Sequence, residues 1–253
     1  MRERTRILLL GGTRDALELA RRLVLDPRLD LTSSLAGRTW NPTRIPGELR
    51  VGGFGGPAGL AHYLKDHTIN LLVDATHAFA TTMAHNAAAA CEQLGLPRLK
   101  LLRPAWRPVE GDRWIEVAST AEAAAALRGL AERVFLTSGR QEIEAFADLS
   151  DIWFLVRLID PPGNPLPLAR HEVILDRGPF DQAAETALME KHGIQALVTK
   201  NSGGGLIQAK ITAARRLGLP VVMIRRPEPP PGEIVESVEA ALAWIEQRAG
   251  RPP

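Results

Sequence analysis

Leu197-Val-Thr-Lys-Asn-Ser-Gly-Gly-Gly-Leu-Ile-Gln-Ala-Lys210 reads as an apolar strand that runs into a Lys-Asn-Ser-Gly turn and then into a helix. Such a turn suits an anion. A strand end leaves backbone N–H groups free, glycines let a ligand approach the main chain, and the following helix presents the positive end of its dipole. Lys200 and Lys210 add two full charges. The same order opens the chain, where Ile7-Leu-Leu-Leu-Gly-Gly-Thr-Arg-Asp-Ala16 is a strand broken at Gly11-Gly12 before a helix. Outward from these two stretches, apolar runs at 7–10, 29–36, 70–75, 99–103, 133–137, 152–159, 172–175, 196–199 and 221–224 read as strands. Helix-period segments at 15–25, 57–65, 80–94, 120–131, 141–149, 180–192, 208–217 and 237–248 alternate with them. Strands that are apolar throughout, such as Leu71-Leu-Val73, are expected when helices cover both faces of a parallel sheet, so the pattern predicts an α/β fold. The proline-rich stretch Arg103-Pro-Ala-Trp-Arg-Pro108 divides the chain into domains 1–104 and 105–253, and Pro227-Glu-Pro-Pro-Pro-Gly232 reads as a stiff spacer.

Composition narrows the function. Hydrophobic residues make up 45% of 253, enough for a substantial core. A net charge of +2 and 5% aromatics provide neither a phosphate stripe nor a base-stacking platform, which sets nucleic acid aside. Cys91 is the single cysteine, so no disulfide framework or Cys-based zinc site forms within one chain. The start Met1-Arg-Glu-Arg-Thr-Arg6 leads into four apolar residues, far short of a signal-peptide core or a membrane span, and a cytoplasmic protein is expected. No His/Asp/Glu cluster has metal spacing, and neither a Gly-x-Ser-x-Gly elbow nor a P-loop is found, so no metal site, hydrolase or NTPase is predicted.

The candidate site residues lie where apolar strands end. Gly12, Thr13 and Arg14 follow the first strand; a tight turn alone accounts for the glycines, whereas the hydroxyl and guanidinium beside them favour an anion. Gly53, Phe54, Gly55 and Gly56 precede a helix, as a flexible loop or as a wrapper for a ligand. Thr76, His77 and Phe79 follow the strand ending at Asp74, at the edge where parallel sheets bind ligands. An imidazole there can donate a proton near neutral pH or merely cap the next helix. Ser138, Gly139 and Arg140 close another strand with groups that suit phosphate or carboxylate. Lys200, Asn201, Ser202, Gly203 and Gly204 form the opening turn, Lys210 follows on its helix, and Arg225 ends the next strand. Arg38 and Thr39 precede Trp40, which is expected to neighbour the ligand because it follows Ala36-Gly-Arg-Thr39.

In order and spacing, Ile7 to Ala16, Ser34-Leu-Ala-Gly-Arg-Thr39, Gly52 to Gly56, Asp74 to Ala80, Thr137 to Arg140, and Val198 to Lys210 followed by Val221-Val-Met-Ile-Arg-Arg-Pro227 resemble the precorrin-6A reductase family of cobalamin biosynthesis. The resemblance spans nearly the whole chain. It implies two Rossmann-like parallel-sheet domains facing a central cleft, with NADPH-dependent reduction of one double bond of precorrin-6A to give precorrin-6B. In this reading, or with the two sets of turns exchanging roles, Lys200 to Gly204 and Ser138 to Arg140 hold NADPH phosphates. Gly12 to Arg14, Arg38, Thr39, Gly53 to Gly56, Thr76 to Phe79, Lys210 and Arg225 then meet the polycarboxylate macrocycle. The proton that follows the hydride comes from His77, a substrate carboxyl or water. Ala78 stands where the family usually has proline. Arg140 meets either the nucleotide or a substrate carboxylate. Alternatives are a cobalt-precorrin-6A reductase, another NAD(P)-dependent oxidoreductase or epimerase, and a nucleotide-sensing module without turnover. The only tyrosine, Tyr63, is followed four positions on by His67, which argues against a short-chain dehydrogenase Tyr-x-x-x-Lys pair.

Overall fold

The computed structural model describes residues 4–37, 44–205 and 208–249. Its first stretch runs β1 (Thr5–Leu10), α1 (Arg14–Leu23), β2 (Leu29–Leu35), β3 (Glu48–Val51), α2 (Gly56–Asp66), β4 (Leu71–Asp74), α3 (Thr81–Leu94) and β5 (Arg98–Leu101). Next come β6 (Arg113–Val117), α4 (Thr120–Leu127), β7 (Arg133–Leu136), a 3₁₀ helix (Arg140–Phe146), β8 (Trp153–Leu158), β9 (His171–Leu175) and α5 (Gln182–Lys191). The chain ends with β10 (Ala196–Lys200), α6 (Ala209–Arg216), β11 (Pro220–Ile224), β12 (Glu233–Val235) and α7 (Val238–Arg248).

Among the described residues these strands form two six-stranded sheets, ordered β3-β2-β1-β4-β5-β12 and β9-β8-β7-β10-β11-β6. Every neighbouring pair is parallel. Counted along its own half of the chain, each sheet has the doubly wound order 3-2-1-4-5-6. Only the sixth place is unusual, since β6 precedes the other strands of its sheet and β12 arrives from beyond the second half. The chain divides at Pro104/Ala105 into two compact units, but the second ends at Arg226 and the stretch from Pro227 onward belongs to the first.

That return corrects the expected domain 105–253. After the prolines, β12 pairs with β5, with Glu233 opposite Leu99 and Val235 opposite Leu101. Leu102 N–H extends the ladder to Val235 O at 2.9 Å. The 227–232 stretch therefore leads into an edge strand of three residues, too short and too exposed to show a period. The segment 141–149 also differs from its expected α-helix and forms a 3₁₀ helix, with Phe146 packed edge-on against Phe154 at 5.8 Å.

Alternation along β1 shows why its strand is apolar throughout. Ile7 and Leu9 face a cluster with Leu19, Leu23, Trp244 and Ile245 of α1 and α7, while Leu8 and Leu10 face Leu60, Leu64, Ala87 and Ala90 of α2 and α3. In the second unit Phe135, Leu155, Leu197 and Met223 pack beneath Met189, Ile211 and Ala214 of α5 and α6. Helix α1 starts because Thr13 caps it by accepting Ala16 N–H at 3.1 Å, with Asp15 in the first turn and Arg21 and Arg22 in the last.

Trp244 is 6% exposed, and its indole donates to Glu233 Oε2 at 2.7 Å, so it ties α7 to β12 within the first unit's core. Trp244→Ala is expected to lower stability by about 3–5 kcal/mol in urea unfolding. A change below about 1 kcal/mol would contradict the place assigned to α7.

Candidate functional site

In a doubly wound sheet, ligands bind outside the carboxyl ends of the strands, where successive crossovers depart in opposite directions. The first unit has this switch point between β1 and β4. The second has it between β7 and β10. Four of the turns predicted from sequence end these four strands: Gly12 to Arg14 after β1, Thr76 to Phe79 after β4, Ser138 to Arg140 after β7, and Asn201 to Gly204 after β10.

At the first switch point, Thr13 both caps α1 and donates its hydroxyl to Ala75 O at 2.8 Å, joining the two turns. Gly12 has φ +106°, and a Cβ built on it would meet open space within 4 Å, so a ligand has access to the main chain there. Arg14 is exposed and makes no side-chain hydrogen bond or ion pair among the described residues. Beneath the second turn lies a sealed network. Asp74 is 0% and Lys100 2% exposed, their Oδ2 and Nζ are 3.0 Å apart, and Thr76 donates its N–H and hydroxyl to Asp74 Oδ1 at 3.0 and 2.6 Å. Lys100 also donates to Thr76 Oγ1 at 3.1 Å. This network holds the His77 loop in place. Phe79 N–H then points at His77 Nδ1, 3.3 Å away. Thr76 thus acts from below the loop, and its hydroxyl is already engaged.

Gly53 to Gly56 follow the edge strand β3 and are ordered by a residue that sequence reasoning passed over. Arg50 lies 3.8 Å over the Phe54 ring and donates to Gly52 O at 2.6 Å and Gly53 O at 2.7 Å. Arg38 and Thr39 lie outside the described residues.

At the second switch point, Lys200 forms an ion pair with Glu142 of the 3₁₀ helix, which brings the β7 and β10 turns together. Asn201 is a clamp: its Oδ1 accepts Trp106 N–H at 2.8 Å, and its Nδ2 donates to Trp106 O at 3.0 Å. The Trp106 indole in turn donates to Gly204 O at 2.7 Å. Both ends of the Asn201 amide are therefore occupied. What remains for a ligand is the Gly203-Gly204 backbone, Ser202, and Ser138, whose buried hydroxyl has no partner among the described residues. Arg140 and Arg225 are exposed. Lys210 is buried within the second unit, and burial pulls its ammonium down to about 8, with Arg157 acting in the same sense and Glu185 against. Among the described residues no group of three or more His, Cys, Asp or Glu is arranged to hold a metal, and no helix is long and apolar enough to cross a membrane.

A family model described as precorrin-6x reductase CbiJ/CobK matches residues 6–246. The chain belongs to the precorrin-6x reductase family. It is thus an oxidoreductase of cobalamin biosynthesis. It is 50% identical to a precorrin-6A reductase from Rhodococcus erythropolis, over 95% of this chain and 97% of that protein. To a cobalt-precorrin-6A reductase from Priestia megaterium it is 28% identical, over 93% and 96%. The solved structure of CobK precorrin-6A reductase superposes with a TM-score of 0.92 at 41% identity, covering 98% of both chains.

Two buried charges of this precorrin-6x reductase family member escaped sequence reasoning, and both had the same signal. Arg157 is the one charge of β8 and Lys100 stands between Leu99 and Leu101 of β5, and a charge so placed must find a partner when both sheet faces are covered. Lys100 finds Asp74. Arg157 forms a bidentate pair with Glu185, at 2.6 and 3.2 Å.

Lys100→Met leaves Asp74 buried without its cation, and a loss of about 3–5 kcal/mol is expected by denaturant titration, much of it recovered in Asp74→Asn/Lys100→Met. For Lys210, the folded pKa lies below the unfolded one, so the unfolded chain binds more protons between pH 8 and 10.5 and stability rises with pH across that window. Wild type is expected to gain roughly 3 kcal/mol there relative to Lys210→Met; parallel pH profiles would contradict the burial.

Proposed function

We propose that this reductase transfers two electrons from NADPH to one double bond of the precorrin-6A macrocycle, giving precorrin-6B. The carrying observation is the pairing of glycine-rich, cation-bearing turns at both switch points of a chain whose relatives at 42–50% identity are named precorrin-6A reductases. Proteins named cobalt-precorrin-6A reductase are 28–29% identical, which favours the cobalt-free substrate.

The residues present fit a phosphorylated dinucleotide. The sealed Ser138 hydroxyl without a partner, the open approach to the main chain at Gly12, and the cations of both units suit a ligand set rich in oxyanions. When bound, NADPH supplies the hydride. Lys200, Ser202, the Gly203-Gly204 backbone and Ser138 to Arg140 hold its phosphates in this reading, with Lys200 exchanging its contact with Glu142 for the ligand. Arg14, Gly53 to Gly56 and the His77 loop receive the macrocycle's carboxylates and edge, and Arg225 adds an exposed guanidinium. The hydride leaves the neighbouring ring carbon one proton short. His77, protonated from solvent, delivers that proton and returns to the neutral ring whose Nδ1 accepts Phe79 N–H.

Anaerobic incubation with precorrin-6A and NADPH is expected to oxidise one NADPH per macrocycle reduced. Turnover only with cobalt-precorrin-6A would reassign the substrate. Lys200→Ala is expected to raise the NADPH dissociation constant roughly 10-fold or more. His77→Ala is expected to slow single-turnover reduction about 100-fold, and an unchanged rate would transfer proton delivery to a substrate carboxyl or water.

A further inference from the structure

The second unit buries more positive charge than it neutralises. Arg157, near the carboxyl end of β8, is 9% exposed and paired with Glu185, which is 2% exposed. Its Nε–H is sealed and has no acceptor among the described residues. Lys210, in the first turn of α6, is also 9% exposed and makes no hydrogen bond or ion pair among the described residues; its nearest recorded partner is the Trp106 ring, 6.0 Å away. The charged groups that face Lys210 are Arg157 of β8 and Glu185 of α5. One carboxylate therefore serves two cations, and the trio carries a net positive charge in a place where an uncompensated ion is expensive.

Unused hydrogen-bonding capacity also ends the neighbouring strand. Ser138, 6% exposed and without a partner for its Oγ, follows β7, the strand between β8 and β10. Helix α6 starts at Gln208 without a side-chain cap, and the positive end of its dipole adds to the charge. A Ser hydroxyl, an Arg Nε–H and an ammonium can all donate, and among the described residues none of the three has an acceptor. The elements are strands one, two and four of a 3-2-1-4-5-6 sheet, and Arg157 stands about 20 residues beyond the first turn, where dinucleotide folds place the group that meets the adenosine ribose.

We propose that Lys210, with Arg157 Nε–H and the Ser138 hydroxyl, forms a buried oxyanion site for a phosphate group of the dinucleotide. The inference rests on the dinucleotide reading above and moves Lys210 from the macrocycle to the cofactor. Entry of a phosphate completes the charge balance that Glu185 leaves unfinished. Since burial holds the empty ammonium near 8, binding at that pH draws a proton from solution onto Lys210.

Calorimetric titration of NADP⁺ at pH 8 in buffers of differing ionisation enthalpy tests this without turnover or macrocycle. Wild type is expected to take up about half a proton per dinucleotide, in keeping with half-protonation at the pKa. Lys210→Met is expected to lose that uptake and to bind roughly 10- to 100-fold more weakly. Lys210→Arg, always charged, is expected to keep the affinity within a few-fold while losing the uptake. Loss confined to NADP⁺ would assign the 2′-phosphate, and equal loss with NAD⁺ the pyrophosphate. Wild-type binding with unchanged affinity and uptake in Lys210→Met would overturn this site alone. Failure of wild type to bind either dinucleotide would overturn the cofactor reading and the site with it.

Discussion

Each unit depends on one pair of parallel strands, β1 beside β4 and β7 beside β10, from which the crossovers turn to opposite sides. Helices cover both faces of the sheets, so the strands themselves have no room for chemistry, and ligand-binding groups can stand only where the strands stop. At those four ends the chain places glycines, hydroxyls and cations instead of apolar residues. Direct links then hold the turns in pairs: Thr13 to Ala75 in the first unit, Lys200 to Glu142 in the second.

The sixth strand of the first sheet returns from beyond the second unit, and this return has an energetic consequence. β12 is three residues long and carries little of its own stability, so its position comes from α7, whose Ala241, Trp244 and Ile245 join the first unit's core. Likewise β6 lies on β11 with register from Pro220↔Arg113 to Ile224↔Val117, although it precedes β7. The first unit is not complete until the stretch from Pro227 has been made, whereas the second lies within Ala105–Arg226. Long-range pairing of this kind makes folding slower than local topology would allow.

The interior strands were legible in the sequence because burial on both faces makes them continuously apolar. The strands that were not, β3, β6 and β12, all lie at sheet edges, where exposed positions such as Glu48, Arg113 and Glu233 erase the pattern. The turns at the strand ends were visible for a different reason: glycine beside lysine or arginine at the end of an apolar run is unusual unless the backbone is needed. What the turns rest on was hidden. Asn201 looks like a ligand contact and is a clamp on Trp106, Thr76 belongs to the Asp74–Lys100 network, and Arg50 orders a glycine loop from a strand that had not been recognised. Such partners are distant in sequence and chosen by the fold, so residue type alone does not disclose them.

Charge runs through the whole account. The chain is nearly neutral overall, yet it concentrates cations at strand ends and leaves one buried in the second unit without a carboxylate of its own. Hydrogen–deuterium exchange with and without NADP⁺ tests most directly whether the β7/β10 switch point receives the dinucleotide. Slowed exchange of amides at 138–140 and 202–205 is the predicted result. Slowing confined to 11–14 and 75–79 would contradict the account and place the dinucleotide on the first unit.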